Sequence, residues 1–273
     1  MNDVFCPIPW NSLSVLPDGR LRLCCHSDEK HLLTHQSGTE LKLSDIKDIN
    51  TLSSSEFLKK VRTNFLKNTA LDICNQCLSS EKLGNKSFRN ELKQNFPHID
   101  GLKSFKLEYL DISFSNLCNM QCPMCSSNFS SKWMKIKGEG SIVSSHSPSL
   151  WESPFFREQI KNLKSVLIQG GEPFLAKEHL PFLKALTSNS PCREISLDYV
   201  TNFSTKIPEN IIEIWKGFKK INMKTRYILM TLLFAICAIS YGQVKKGDVL
   251  IKNGTVITIT DGTQEKTDVL VRD

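Results

Sequence analysis

An α/β fold built from parallel βαβ units is what the sequence predicts, on three observations. Apolar runs of strand length occur at residues 107–114, 166–169 and 195–200. Segments that read as helices, 155–163, 179–187 and 208–218, alternate with them, the last with Pro208 at its first turn. The residues able to carry chemistry follow the ends of the apolar runs, which is where ligands gather in parallel α/β folds.

From the N-terminus, Cys6 opens a cysteine-rich segment, and Pro17, Asp18 and Gly19 between two apolar runs read as a hairpin turn. That hairpin brings Cys6 and Cys24 onto neighbouring strands. A capping-box pattern from Ser53 to Glu56 precedes Phe57, Leu58, Val61, Phe65 and Leu66 at helical spacing, which predicts a helix leading to Cys74 and Cys77. Two single cysteines and a C-x2-C pair make four thiolates, enough to close a metal site. Zinc and an iron–sulfur cluster both suit that set. Cys25 is a spare thiol beside Cys24.

After the run at 107–114 come Cys118, Cys122 and Cys125, a C-x3-C-x2-C spacing that offers three thiolates from one loop. Ferredoxin-type clusters take four cysteines, three of them closely spaced. The next cysteine here is Cys192, and nothing in the spacing forces it to be a fourth ligand. A cluster on three ligands keeps one iron open; the alternatives are a zinc site completed by a distant side chain, or three buried thiols. The run at 166–169 ends in Gly170, Gly171 and Glu172, where two glycines allow a close backbone approach and a carboxylate can receive an ammonium group. Thr201 and Asn202 stand at the same edge of the third run. The serine-rich stretch 141–149 reads as a loop over that edge, placed to act as a lid.

Composition narrows the function classes. The 273 residues carry ten cysteines and a net charge of +7, with no basic stripe interleaved with aromatics, so nucleic acid is not the expected partner. The close cysteine sets suit metal better than disulfides, and the N-terminus lacks a signal sequence; both point to a reducing cytoplasm for residues 1–222.

The cysteine triple and the Gly-Gly-Glu turn together resemble the radical S-adenosylmethionine (SAM) superfamily. The resemblance implies a partial (β/α)6 barrel of about three β/α units. Cys118, Cys122 and Cys125 would hold a catalytic 4Fe–4S cluster whose open iron binds SAM. Gly170, Gly171 and Glu172 would cradle the SAM amine, with Met124 beside the adenine and Thr201 and Asn202 near the ribose or carboxylate. It further implies reductive cleavage of SAM to a 5′-deoxyadenosyl radical, a peptide or small-molecule substrate, and an electron donor such as flavodoxin or ferredoxin. The N-terminal cysteines look like the twitch or SPASM module of such enzymes, which implies an auxiliary 4Fe–4S cluster on Cys6, Cys24, Cys74 and Cys77. The alternative class is a non-catalytic protein holding zinc or a cluster for structure.

The C-terminal residues read differently. Residues 223–243, with two early cations and an apolar core at 228–239, have the pattern of a secretory signal peptide, and would touch a membrane only by inserting there. Residues 244–273 read as short strands with Asn253-Gly254 and Asp261-Gly262 turns, and look like the opening β segment of secreted amidohydrolases, without their histidine ligands. The expected organisation is thus a cysteine module at 1–104, a shortened radical SAM core at 105–222, a signal-like segment at 223–243 and a β fragment at 244–273. Two gene starts joined by fusion or by assembly error would produce it, with SAM cleavage impaired.

Overall fold

A computed structural model describes residues 4–27, 30–96, 105–140, 143–144, 148–224, 249–258 and 262–271. In chain order the elements are α1 (Ile8–Asn11), β1 (Ser12–Val15), β2 (Leu21–Arg22), α2 (Ile49–Ser53), α3 (Glu56–Leu66), α4 (Asn75–Lys82), α5 (Phe88–Asn95), β3 (Tyr109–Ser113), α6 (Ser131–Ile136), α7 (Pro154–Gln159), β4 (Ser165–Gln169), α8 (His179–Asn189), β5 (Ser196–Val200), α9 (Glu209–Trp215), β6 (Lys220–Lys224), β7 (Val249–Thr258) and β8 (Gly262–Val271). The chain divides into two compact units at residues 226/227.

The first unit is organised by one six-stranded sheet in the order β2-β1-β3-β4-β5-β6. Only the β1–β2 pair is antiparallel; every other neighbouring pair is parallel. The mixed α/β expectation therefore holds, with two differences. The strands of the cysteine-rich segment extend the same sheet, Ser12 pairing with Tyr109 and Val15 with Ile112. And the three β/α units are followed by a fourth strand, β6, which runs through the expected 222/223 boundary and pairs Met223 with Tyr199. Among the described residues the sheet stays open, with β2 and β6 at its edges.

Strand alternation explains the layers. Leu110 and Ile112, Val166 and Ile168, and Leu197 and Tyr199 point to one face, where each is fully buried under Phe155, Phe156, Phe182, Leu186, Ile211 and Trp215 of α7, α8 and α9. The opposite face presents Tyr109, Asp111 and Leu167. Tyr109 and Leu167 meet a second apolar cluster built from Cys6, Ile8, Trp10, Leu23, Leu58, Val61, Phe65 and Leu92. The cysteine-rich segment thus lies on the face that the helices leave.

Local chemistry sets the element ends. The predicted hairpin forms: the Leu16 amide donates to the Arg20 carbonyl and the Gly19 amide to the Leu16 carbonyl, each at 2.9 Å, and Gly19 adopts φ 84°. Cys6 and Cys24, however, lie just outside its strands, before α1 and after β2. Helix α3 is capped by Ser55, whose hydroxyl accepts from the Leu58 amide; Ser53 instead ends α2. Pro208 occupies the N-cap of α9 with an extended ψ of 139°, one position before the predicted first turn.

The second unit's described residues form one antiparallel hairpin, β7–β8. The Asn253-Gly254 pair, expected to turn the chain, lies inside β7 at a register shift, where glycine accommodates a bulge. The signal-like stretch from 225 to 243 lies outside the described residues. No helix among the described residues is long and apolar enough to cross a membrane.

Candidate metal centres

Two cysteine sets occupy two different places on this frame. The N-terminal set converges. Cys6 precedes α1, Cys24 follows β2, Cys74 caps the start of α4 and Cys77 sits in that helix's first turn. All four line one cavity, together with Ile8, Leu23, His26, Phe88 and Arg89. Burial pushes the Cys6 thiol far up, and the neighbouring Cys24, Cys74 and Cys77 add to the shift. Cys24 is pushed up to about 11, chiefly by burial, and Cys74 to about 12 by burial and by Cys24 and Cys77. Four thiols gathered in one apolar pocket, with those of Cys6, Cys24 and Cys74 raised by burial, are the donor set that a thiophilic metal or cluster compensates. Cys25 is not among the residues that line the cavity; burial raises its thiol, with Asp111 and Cys24 adding and Arg22 opposing. Among the described residues no three His, Cys, Asp or Glu side chains converge as the ligands of a single metal ion. No disulfide forms among the nine described cysteines.

The second set lies at the C-terminal ends of consecutive strands. The chain leaves β3 through Asn116, fully buried, whose side chain accepts from the Val143 amide at 2.8 Å and donates to the Ser127 carbonyl at 3.5 Å. Cys118 follows, buried, and its sulfur accepts from the Met120 amide at 3.5 Å and the Asn202 amide group at 3.7 Å. Burial raises the Cys118 thiol; the Cys122 and Glu172 charges add, while those two donors oppose. Cys122 and Cys125 are half-buried, with the Cys125 amide closing a turn onto the Cys122 carbonyl at 2.9 Å. Trp133 of α6 donates its indole N–H to the Cys122 carbonyl at 2.9 Å, and Ser131 receives the Cys118 amide at 3.2 Å, so α6 holds the loop from beneath. Met124 is 55% exposed on the loop.

The Gly-Gly-Glu turn packs directly onto that loop. Gly170 and Gly171 take φ 78° and 53°. A Cβ at Gly171 would stand 2.4 Å from the Leu117 carbonyl oxygen, and one at Gly170 would stand 2.4 Å from the Ser113 hydroxyl. Glu172 donates its amide to the Leu117 carbonyl at 2.7 Å. Its carboxylate, 1% exposed, turns inward and accepts from the Thr201 hydroxyl at 2.8 and 3.0 Å and from the Asn202 amide at 2.9 Å. Glu172 therefore ties the end of β4 to the end of β5, using the same two residues expected near SAM. Asn202 closes the circuit by donating to the Asn119 side chain at 3.0 Å, and Asn119 donates to Ser204 at 2.7 Å. Cys192 lies elsewhere. It begins the turn before β5, whereas Cys118 follows the end of β3; in parallel strands these are opposite strand ends, about 16 Å apart along a five-residue strand. The triple has no fourth cysteine from that position.

Several contributors have no signal in the sequence. Asn119, Ser131 and Trp133 brace the first loop, and Arg89 and Glu81 stand beside the four-thiol cavity; none belongs to a spaced motif. Asp111 is a further case. It lies fully buried under the cysteine-rich segment, accepting from Ser14 at 2.5 Å and Gln169 at 2.6 Å, with Arg22 at 3.5 Å. Burial raises its carboxyl against the pull of those three groups.

No curated protein matches this chain. Residues 6–78 match the family model SPASM, an iron–sulfur cluster-binding domain. The matched stretch begins at Cys6 and ends just past Cys77, and so takes in all four cavity cysteines; it supports iron–sulfur binding by the N-terminal segment, as a SPASM or twitch module.

Proposed function

We propose that the chain is a radical SAM-type iron–sulfur protein, with an auxiliary 4Fe–4S cluster on Cys6, Cys24, Cys74 and Cys77 and a second, SAM-binding cluster on Cys118, Cys122 and Cys125. The observation that carries the reading is the convergence of four cysteines from four separate positions on one cavity, within the segment that matches an iron–sulfur domain. The second site draws support from three thiols on one loop beside the Gly-Gly-Glu turn. When bound, clusters of this kind supply one-electron chemistry, including reductive cleavage of SAM. The chain's own residues hold and shape the site. Trp133, Ser131 and Asn202 fix the cysteine loop, Gly170 and Gly171 bring the β4 turn against it, and Glu172 locks β4 to β5. Met124, exposed on the loop, is available to an adenine ring.

The substrate is a peptide or small molecule, and the reductant a flavodoxin- or ferredoxin-like donor. Anaerobic reconstitution with iron and sulfide, followed by a 5′-deoxyadenosine assay with SAM and a reductant, tests the activity. Product formation that disappears with Cys122→Ala supports the reading; a loaded protein that binds no SAM removes it. The C-terminal part keeps the reading expected over 223–273, a signal-like and amidohydrolase-like segment joined to the rest, with Met223 and Lys224 belonging instead to β6. A genomic read through the codons of Ile221 and Lys224 tests that join, and a break in coverage there identifies an assembly error.

A further inference from the structure

The four-thiol cavity has one cationic wall. Arg89, on α5 and beyond the segment that matches the iron–sulfur domain, is 4% exposed and lines the cavity beside Cys6, Cys24, Cys74 and Cys77. Its guanidinium forks onto the Glu81 carboxylate, with Nε donating to Oε1 at 3.0 Å and Nη2 donating to Oε2. Ser87, the N-cap of α5, donates to the same carboxylate. Arg89 lines the cavity and Glu81 does not, so the cation is the member of the pair nearer the sulfurs. The Arg89 guanidinium lies close enough to the Cys6, Cys74 and Cys77 sulfurs to interact with them electrostatically.

We propose that Arg89, oriented by Glu81, is the counter-charge of the four-cysteine site and a positioning residue that sets how readily an iron–sulfur cluster there accepts an electron. The proposal rests on the reading of this cavity as a cluster site. Four thiols lose four protons on loading, and the cluster with its thiolates carries net negative charge in an apolar wall. A fixed cation at that wall offsets the charge, and offsets it more strongly once one further electron is added. Arginine suits the task, because its planar fork holds both carboxylate oxygens and cannot give up its proton. Removing the cation makes reduction harder. Removing the Glu81 charge while keeping Arg89 makes it easier.

The test uses the full chain carrying C118A, C122A and C125A, so that only the four-cysteine site contributes to the spectrum. This parent and its Arg89→Gln, Arg89→Lys and Glu81→Gln derivatives are reconstituted anaerobically, and the cluster is titrated with dithionite under EPR. The expected result is an R89Q midpoint lower by about tenfold in the one-electron reduction constant, which is about 59 mV. R89K stays near the parent, and E81Q shifts upward. Because R89Q leaves Glu81 without its fork, the E81Q and R89K arms decide the matter if R89Q fails to fold. Equal midpoints, or E81Q and R89Q moving in the same direction, overturn the proposal and assign the pair to structure alone. A parent that takes up no iron overturns the cluster reading instead, and with it this proposal.

Discussion

Glycine at position 171 shows how much of the second site depends on single atoms. Its φ of 53° and the 2.4 Å gap to the Leu117 oxygen leave no room for a methyl group against rigid backbone. Gly171→Ala should therefore destabilise the protein by about 2 kcal/mol or more, from strain and displaced backbone together; the midpoint of urea unfolding measures it. Glu172→Gln leaves the size unchanged but removes a charge that accepts from three donors, the Thr201 hydroxyl and the Asn202 and Phe174 amides, in a buried setting. A loss of about 1.5–3 kcal/mol is expected from charge-assisted hydrogen bonds, again read as a shift in unfolding midpoint. At this scale the sequence was legible where residues recur in spacing. The C-x3-C-x2-C run, the C-x2-C pair and Gly-Gly-Glu all announce themselves. It was not legible where the role comes from tertiary approach. Glu172 reads as a free carboxylate by sequence, yet its partners Thr201 and Asn202 arrive from the next strand. Arg89 likewise becomes notable only once α5 is folded against the cysteines.

Elements α8 and β5 meet at a buried polar contact with a pH consequence. His179, at the first position of α8, places Nε2 2.9 Å from the Tyr199 hydroxyl, which also receives the Trp215 indole N–H at 3.0 Å. Its Nδ1 is buried without a hydrogen-bond partner. Burial depresses the imidazole to about 3, and a cation at a helix N-terminus opposes the helix dipole. The folded protein thus keeps His179 neutral, while the unfolded chain protonates it near pH 6.5. The unfolded state binds more protons between those values, so stability falls as pH drops from about 6.5 towards 3. The full span is on the order of 5 kcal/mol at the conversion of 1.36 kcal/mol per unit. His179→Gln should flatten that part of a stability-versus-pH curve measured by denaturant unfolding; an unchanged slope contradicts the assignment. Strand and helix identities were readable from alternation and period, because β3, β4, β5, α8 and α9 lie close to the expected runs. Two punctuation marks misled for physical reasons. Asn253-Gly254 carries a hairpin signature but is absorbed as a bulge within a long strand, and Ser53 satisfies the spacing of a capping box while Ser55 wins the cap by position.

At the scale of the whole first unit, the sheet separates two chemistries. One face is apolar and covered by α7, α8 and α9. The other meets the cysteine-rich segment through Tyr109 and Leu167, with Asp111 and Arg22 buried beneath it. The parallel order of β3, β4, β5 and β6 was legible as strand–helix alternation. The insertion of β1 beside β3 was not, since nearly a hundred residues separate Ser14 from its partner Asp111 and no local signal encodes that pairing. Because Cys6, Cys24, Cys74 and Cys77 come from four positions along this segment, a bound cluster would cross-link it, and metal removal should lower its stability. Chelation of the loaded protein should lower the melting temperature, and the same treatment of Cys74→Ser/Cys77→Ser should leave it nearly unchanged. The iron content of the anaerobically reconstituted full chain bears most directly on the two-site account. By four irons per cluster, roughly eight per chain are expected, falling to about four in the Cys118/Cys122/Cys125→Ala variant and to about four in the Cys6/Cys24/Cys74/Cys77→Ala variant. A colourless protein holding stoichiometric zinc, or iron that survives loss of the four N-terminal cysteines undiminished, would contradict it.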